Sequence, residues 1–286
     1  MTDPAPVPVP GAGDRERDSR TAIRVNELGV RYSLKLTRKR TLHQSVIRRA
    51  RREGDQGFWA LRGVTFSVRH GESVGVIGPN GAGKSTLLQV LAGILMPSEG
   101  EVEVDGHISS LLTLGVGFDE DLSGEDNIRL AGAFMGIDHK VVEERLPSIV
   151  EYADLGQFID APIKTYSAGM RARLGFSIAT TVEPDILLLD EVLATGDAAF
   201  REKSKQRVLE LVRQAKAIVL VTHDMGWVTE YCNRAILIEK GRIILEGSPA
   251  DVVQLHQEHS EQRKAEAAAK GVLQLREPIP GARRGR

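Results

Sequence analysis

The chain has 286 residues, of which 41% are apolar and 27% charged, with 38 Lys and Arg against 39 Asp and Glu for a net charge of −1. That is ordinary globular usage, with enough apolar mass for a core, and it excludes wholesale disorder, a fibrous repeat and a globally basic nucleic-acid binder. A single cysteine, Cys232, excludes a disulfide framework, a multi-thiolate zinc site and an iron–sulfur cluster.

The first segment, 1–20, alternates Pro4, Pro6, Pro8 and Pro10 with small residues and then turns charged. Its composition cannot bury a core, so a disordered tail is expected, and it lacks the basic-then-apolar pattern of a signal peptide. Ile23, Val25, Leu28 and Val30 give residues 21–32 strand character. A basic insertion follows at 34–57, carrying Lys35, Arg38, Lys39, Arg40, Arg48, Arg49, Arg51 and Arg52 before the first acid, Glu53. Within it Leu42, Val46, Ile47 and Ala50 fall on one helical face. Strand character returns at Phe58–Val68, and a turn at His70-Gly71-Glu72 leads into the apolar strand Ser73–Ile77.

That strand runs into Gly78-Pro79-Asn80-Gly81-Ala82-Gly83-Lys84-Ser85, followed by Thr86. The pattern is the phosphate-binding P-loop: glycines let backbone N–H groups wrap a polyphosphate, and the next helix points its positive end at the same anion. Lys84 is expected on the β- and γ-phosphates of ATP and the Ser85 hydroxyl on Mg²⁺.

From Ser123 to about Thr181 the pattern is helical, with Ser123 and Asp126 resembling a capping box. After Glu183-Pro184-Asp185, short apolar strands alternate with helical segments: Ile186–Leu189, a helix near 199–216, Ile218–Val221, a helix near 226–232, and Ala235–Ile238. Such alternation predicts an α/β fold with an open, mostly parallel sheet. Ile186–Leu189 delivers Asp190 and Glu191 to the carboxyl edge of that sheet. Asp190 suits Mg²⁺, and Glu191 is the candidate base that orients an attacking water. Gly247-Ser248-Pro249 starts one more helix. No run is apolar enough to span a bilayer.

The run Thr165-Tyr166-Ser167-Ala168-Gly169-Met170-Arg171, ahead of the Asp190 strand, resembles the signature motif of ABC ATPases. Its Tyr-Ser-x-Gly-Met-Arg spelling looks like the polysaccharide and teichoic acid exporters. Val192-Leu193-Ala194-Thr195-Gly196-Asp197 matches the D-loop, and Val221-Thr222-His223-Asp224 matches the switch-histidine segment. Leu111 to Phe118 replaces the usual Q-loop glutamine with a Leu-Gly loop, again as in the exporters.

The resemblance, over residues 21–255, implies an ABC-type P-loop ATPase core with a small antiparallel β subdomain near 21–72 and a helical subdomain near 120–180. It leaves 256–286 as a C-terminal helix and basic tail. It implies that Ser167, Ala168 and Gly169 form a signature acting in trans, with Ser167 and Gly169 reaching the γ-phosphate bound to the opposite subunit, that Asp197 crosses the dimer interface, and that His223 contacts the γ-phosphate and the water. Tyr32 is the choice for the adenine-stacking aromatic, with Phe58 and Trp59 as alternatives.

The implied assembly is a head-to-tail homodimer bound to integral membrane permease subunits. It would export a lipid-linked polysaccharide from the cytoplasmic face of the plasma membrane, with no nucleic-acid partner. The motif spellings, and the ~30 residues after Leu255 that are too few for a carbohydrate-binding β-sandwich, look like the mycobacterial galactan exporters. Teichoic acid and O-antigen exporters are the rivals, and a soluble ABC ATPase outside transport is the alternative class.

Overall fold

The computed structural model describes residues 21–33, 57–110, 117–181, 184–190 and 198–276, with side chains in the last span through residue 265. Glu191, Asp197, the loop segment 111–116, the N-terminal tail and the basic insertion apart from Gly57 lie outside the described residues.

Two sheets organise the described residues. The smaller is antiparallel, in the order β2-β1-β4, from β1 (Thr21–Ser33), β2 (Gly57–Arg69) and β4 (Glu99–Val104). Beyond the two strands expected near 21–72, β4 is an addition. Its sequence EGEVEV has one half-buried residue and five exposed ones, so as an edge strand it carries almost no apolar signal.

The larger sheet has six strands in the order β5-β6-β7-β3-β8-β9. They are β3 (Glu72–Ile77), β5 (Ile108–Ser110), β6 (Ile186–Leu189), β7 (Ala217–Val221), β8 (Arg234–Glu239) and β9 (Arg242–Gly247). β5, β6, β7, β3 and β8 run parallel, and β9 turns back antiparallel on β8.

Strand alternation sends successive side chains to opposite faces. Ile186, Leu188, Val219, Val221, Val74, Val76, Ile236 and Ile238 face the smaller sheet. Between the sheets lies α1 (Lys84–Leu91), burying Leu87, Leu88, Val90 and Leu91. Leu187, Leu189, Ile218, Leu220, Ile77, Ala235 and Leu237 face the other way, toward α5 (Ala198–Gln214), α6 (Met225–Tyr231) and α7 (Pro249–Arg276). Each fully buried Leu or Ile contributes about 1.5–3 kcal/mol, so the uninterrupted apolar runs define the two-faced centre of the molecule.

The helical subdomain comprises α2 (Gly124–Phe134), α3 (His139–Ala153), two 3₁₀ turns at Gly156–Asp160 and Ile163–Thr165, and α4 (Ala168–Ala179). It has its own core of Ile128, Val142, Ile149, Ile159, Ile163, Leu174 and Ile178. Ser123 caps α2, its Oγ accepting from the Asp126 N–H at 3.0 Å. Asn127 is fully buried and ties the preceding loop to α2: its Oδ1 accepts from the Asp119 N–H at 2.8 Å, and its Nδ2 donates to the carbonyls of Asp119 and Ser123.

α4 belongs to both units. Leu174 and Ile178 enter the helical core, while Phe176 enters the core beneath the main sheet. There Phe176 meets Phe200 edge-on at 5.8 Å and Tyr152 at 6.1 Å. Arg173 lies over the Phe200 ring at 5.0 Å and pairs with Asp154 at 2.7 Å. The helix that begins at Ser167 is thereby packed against the first turn of α5.

A unit boundary at residue 255 falls inside α7. The helix is continuous from Pro249 to Arg276, and His259 and Arg263 pack back onto β8, so the compact unit extends past 255.

Candidate nucleotide site

The candidate residues converge because they follow neighbouring parallel strands. Register pairs Leu189 with Leu220 and Gly75 with Leu220, so β6, β7 and β3 end almost level. Asp190 follows β6, His223 follows β7 after Thr222, and Gly78 follows β3. At the ~4.8 Å spacing of strands the three lie in a row about 10 Å wide along the carboxyl edge, where open α/β sheets bind ligands. Asp190 is half-buried and His223 exposed. The turn after His223 is fixed locally: Thr222 Oγ1 accepts from the Asp224 N–H at 3.0 Å, and Asp224 Oδ1 caps α6 through the Gly226 N–H at 2.8 Å.

The P-loop is held by its neighbours. Gly78 has φ +151°, and a Cβ there would lie 2.0 Å from the carbonyl oxygen of Ile238. Gly83, with φ +108°, precedes α1, and a Cβ there would lie 2.5 Å from the carbonyl oxygen of Ala60. Only glycine satisfies both demands. The β8–β9 turn also clamps the loop, because the Gly241 N–H donates to the Ala82 carbonyl at 2.9 Å and the Gly241 carbonyl accepts from the Arg62 N–H at 2.9 Å.

Inside this cradle Lys84 is buried, and its Nζ donates to the carbonyls of Gly78 at 2.7 Å and Pro79 at 3.0 Å. Gly83 gives α1 no side-chain cap, and no acid occupies the first turn of α1. A buried ammonium, an uncapped helix start and a loop with glycine at positions 78, 81 and 83 fit a polyphosphate. Ser85 is exposed and Thr86 half-buried at the start of α1. With Asp190 following β6, two hard oxygen donors are available on this edge, a set suited to Mg²⁺.

The aromatic candidates separate. Tyr32 and Phe58 are direct cross-strand partners at the β1–β2 end, 41% and 54% exposed. Trp59 is engaged elsewhere, with the guanidinium of Arg31 at 5.6 Å and that of Arg62 at 5.3 Å from its ring centre. Phe58 stands two residues from Ala60, whose carbonyl closes on Gly83.

Ser167 is not on the strand edge. It is exposed and N-caps α4, its Oγ accepting from the Met170 N–H at 3.2 Å. Buried Tyr166 anchors the turn through its Oη, which donates to the Phe158 carbonyl at 2.6 Å. Ala168 and Gly169 open the helix. Arg171 leaves toward Glu120, at 2.8 Å.

One cluster beside the P-loop has no counterpart among the sequence-derived candidates. Glu239, closing β8, faces His259 Nδ1 at 3.1 Å and accepts from Arg263 Nη1 at 2.7 Å. Burial would raise the Glu239 carboxyl, but the hydrogen bonds from Arg263 and His259 outweigh it and hold it below its ordinary value. The i, i+4 spacing of His259 and Arg263 was the available signal, and it needed the knowledge that α7 returns to β8.

A mixed P-loop sheet with an antiparallel sheet on one face and an inserted helical unit defines an ATP-binding cassette, and comparison with known proteins agrees. The family described as ABC transporter matches residues 61–194. The chain is 43% identical over 201 residues to the O-antigen export system ATP-binding protein RfbB of Klebsiella pneumoniae, covering 70% of this chain and 82% of that protein. The chain therefore belongs to the ABC transporter family and carries its ATP-binding domain, an ATPase domain.

It is also 44% identical over 210 residues to RfbB of Myxococcus xanthus (73% of this chain, 48% of that one) and 42% identical over 201 residues to the teichoic acids export ATP-binding protein TagH of Lactococcus lactis (70% and 43%). It thus spans about half the length of these two curated relatives. Among solved structures, the ATP-binding subunit of an ABC transporter has the same fold with a TM-score of 0.62 at 24% identity, covering 82% of this chain and 93% of that one. A dimeric ATP-binding cassette bound to ADP and Pi gives 0.60 at 21%, covering 79% and 98%.

Proposed function

We propose that this chain is the ATP-binding and ATP-hydrolysing subunit of an exporter that moves a lipid-linked cell-wall polysaccharide across the cytoplasmic membrane. The observation that carries the reading is the strand-edge row of Asp190, His223 and the P-loop, with the exposed Ser167 turn held apart on the helical unit. One chain then supplies the phosphate cradle and a second supplies the signature, so two chains join head to tail around two ATP molecules. Lys84 exchanges the carbonyls of Gly78 and Pro79 for phosphate oxygens. Tyr32, beside Phe58, stacks on the adenine. Ser85 and Asp190 hold Mg²⁺, which neutralises phosphate charge. Glu191 orients the water, His223 meets the γ-phosphate, and Asp197 reaches across the interface.

Among the described residues no helix is long and apolar enough to cross a membrane. Transport in this reading needs integral permease subunits, with the chain on their cytoplasmic face. The Tyr-Ser-Ala-Gly-Met-Arg spelling supports an exporter of the polysaccharide and teichoic acid group, of which a galactan-like cargo is the first reading. The relatives, named for O-antigen and teichoic acid export, support those cargoes as the second reading. The basic insertion at 34–57 is proposed to meet anionic headgroups or the pyrophosphate of the lipid carrier.

The test of the catalytic assignment is Glu191→Gln. It should retain ATP binding, lower turnover by roughly 10²–10⁴ and accumulate an ATP-bound dimer on size exclusion. Near-normal turnover would remove Glu191 from the reaction.

A further inference from the structure

α7 climbs the main sheet from Pro249, anchored by buried Val252 and Val253, and reaches the carboxyl edge, where His259 and Arg263 engage Glu239. Glu239 directly follows Ile238, whose carbonyl closes on Gly78, and directly precedes the turn that bonds Ala82. The helix is therefore fastened to the same short segment that clamps the P-loop.

His256 lies one turn before His259, on the same side of α7. Its Nδ1 is buried and has no hydrogen-bond partner among the described residues. The charged and titratable groups around it are Lys84 of the P-loop, His223 after β7, Glu239 of β8, and Arg263 and His259 of α7 itself. Burial, then the positive charges of Arg263 and Lys84, hold this imidazole below the usual histidine range despite Glu239.

A buried ring nitrogen without a partner is costly and calls for a ligand. Of the cations that disfavour protonation in the free chain, Arg263 is already paired with Glu239, and Lys84 is the one that a polyphosphate on the P-loop would neutralise. A triphosphate on Lys84 would reverse the local potential and supply an acceptor.

We propose that His256 is a ligand of the bound nucleotide's polyphosphate, delivered by α7 of the same chain, and that nucleotide binding draws a proton onto its imidazole. The proposal rests on the reading that the P-loop holds ATP.

Titration calorimetry of the full chain with a non-hydrolysable ATP analogue and Mg²⁺, near pH 7 in two buffers of different ionisation enthalpy, counts the protons exchanged. Wild type should take up more protons than His256→Gln, by roughly half a proton, and His256→Gln should bind roughly tenfold more weakly. His256→Lys restores a cation without a titrating ring. It should bind near wild-type affinity with the proton count of His256→Gln, a pattern that a merely structural role for His256 does not produce. Thermal midpoints confirm that each variant is folded, and if His256→Gln is not, the comparison of wild type with His256→Lys decides. Equal proton counts in wild type and the variants would overturn the assignment of His256 while leaving the nucleotide site standing. Absence of nucleotide binding by wild type would overturn the nucleotide reading and this assignment together.

Discussion

Gly83→Ala tests whether the P-loop is shaped by what surrounds it. At φ +108° an alanine pays about 1–3 kcal/mol for a backbone conformation that L side chains rarely adopt. Its Cβ would also sit 2.5 Å from the Ala60 carbonyl oxygen and 2.7 Å from Leu61 Cδ2. Backbone in a paired strand cannot swing aside, and such overpacking costs about 1–3 kcal/mol more. The sum, about 2–6 kcal/mol, is a large share of the 5–15 kcal/mol typical of a domain.

Gly93→Ala is the control. Gly93 follows the same helix, with φ +72° and nothing within 4 Å of its Cβ, so only the conformational cost applies. Urea unfolding should place Gly83→Ala well below Gly93→Ala. A fluorescent-nucleotide titration should show at least a roughly tenfold loss of affinity for Gly83→Ala alone, because the N–H groups at the start of α1 shift with it. Equal stability and equal affinity in the two variants would refute the claim that contact between β2 and the loop sets the site.

Two further outcomes follow from groups beside the site. Burial pushes the Cys232 thiol up to about 12, so at pH 8 it should alkylate roughly 1,000-fold more slowly in the native protein than in urea; equal rates would place it at the surface. The Glu239 carboxyl is held below its ordinary value of 4.5, so its contribution is present above that value and is lost as pH falls through the lowered one. The gap in urea midpoint between wild type and Glu239→Gln should therefore shrink on acidification below 4.5, and a gap unchanged with pH would show that the pair with Arg263 does not hold α7.

The central sheet was legible because its strands are short, fully apolar and followed by chemistry: Ile186–Leu189 before Asp190, and Ser73–Ile77 before the P-loop. The capping serines Ser123 and Ser248 likewise mark helices that the structure contains, Ser248 Oγ accepting from the Asp251 N–H at 3.2 Å. β4 was not legible, because an exposed edge strand of alternating acids has no apolar face to betray it. Nor was the ending of the compact unit: 256–286 read as a C-terminal helix and basic tail, and the ties of His259 and Arg263 to Glu239 are set by a crossing that sequence periodicity does not encode. The same reason hid His256. Lys84 and His223, whose charges act on it, are distant in the chain and are brought to the same edge only because β7, β3 and β8 lie side by side.

The most direct test of the account mixes two inactive chains. Ser167→Arg blocks the signature, Lys84→Ala empties the phosphate cradle, and each alone should hydrolyse little ATP. In a head-to-tail heterodimer both lesions fall on one composite site and the other is whole. Random mixing, with half the dimers mixed and one site of two intact, should therefore recover about a quarter of wild-type ATPase if the sites act independently. Activity no greater than that of the parents, in a mixture where heterodimers form and bind one ATP analogue each, would mean that the two sites fire only together. Heterodimers in which no intact site binds nucleotide would contradict the composite site itself.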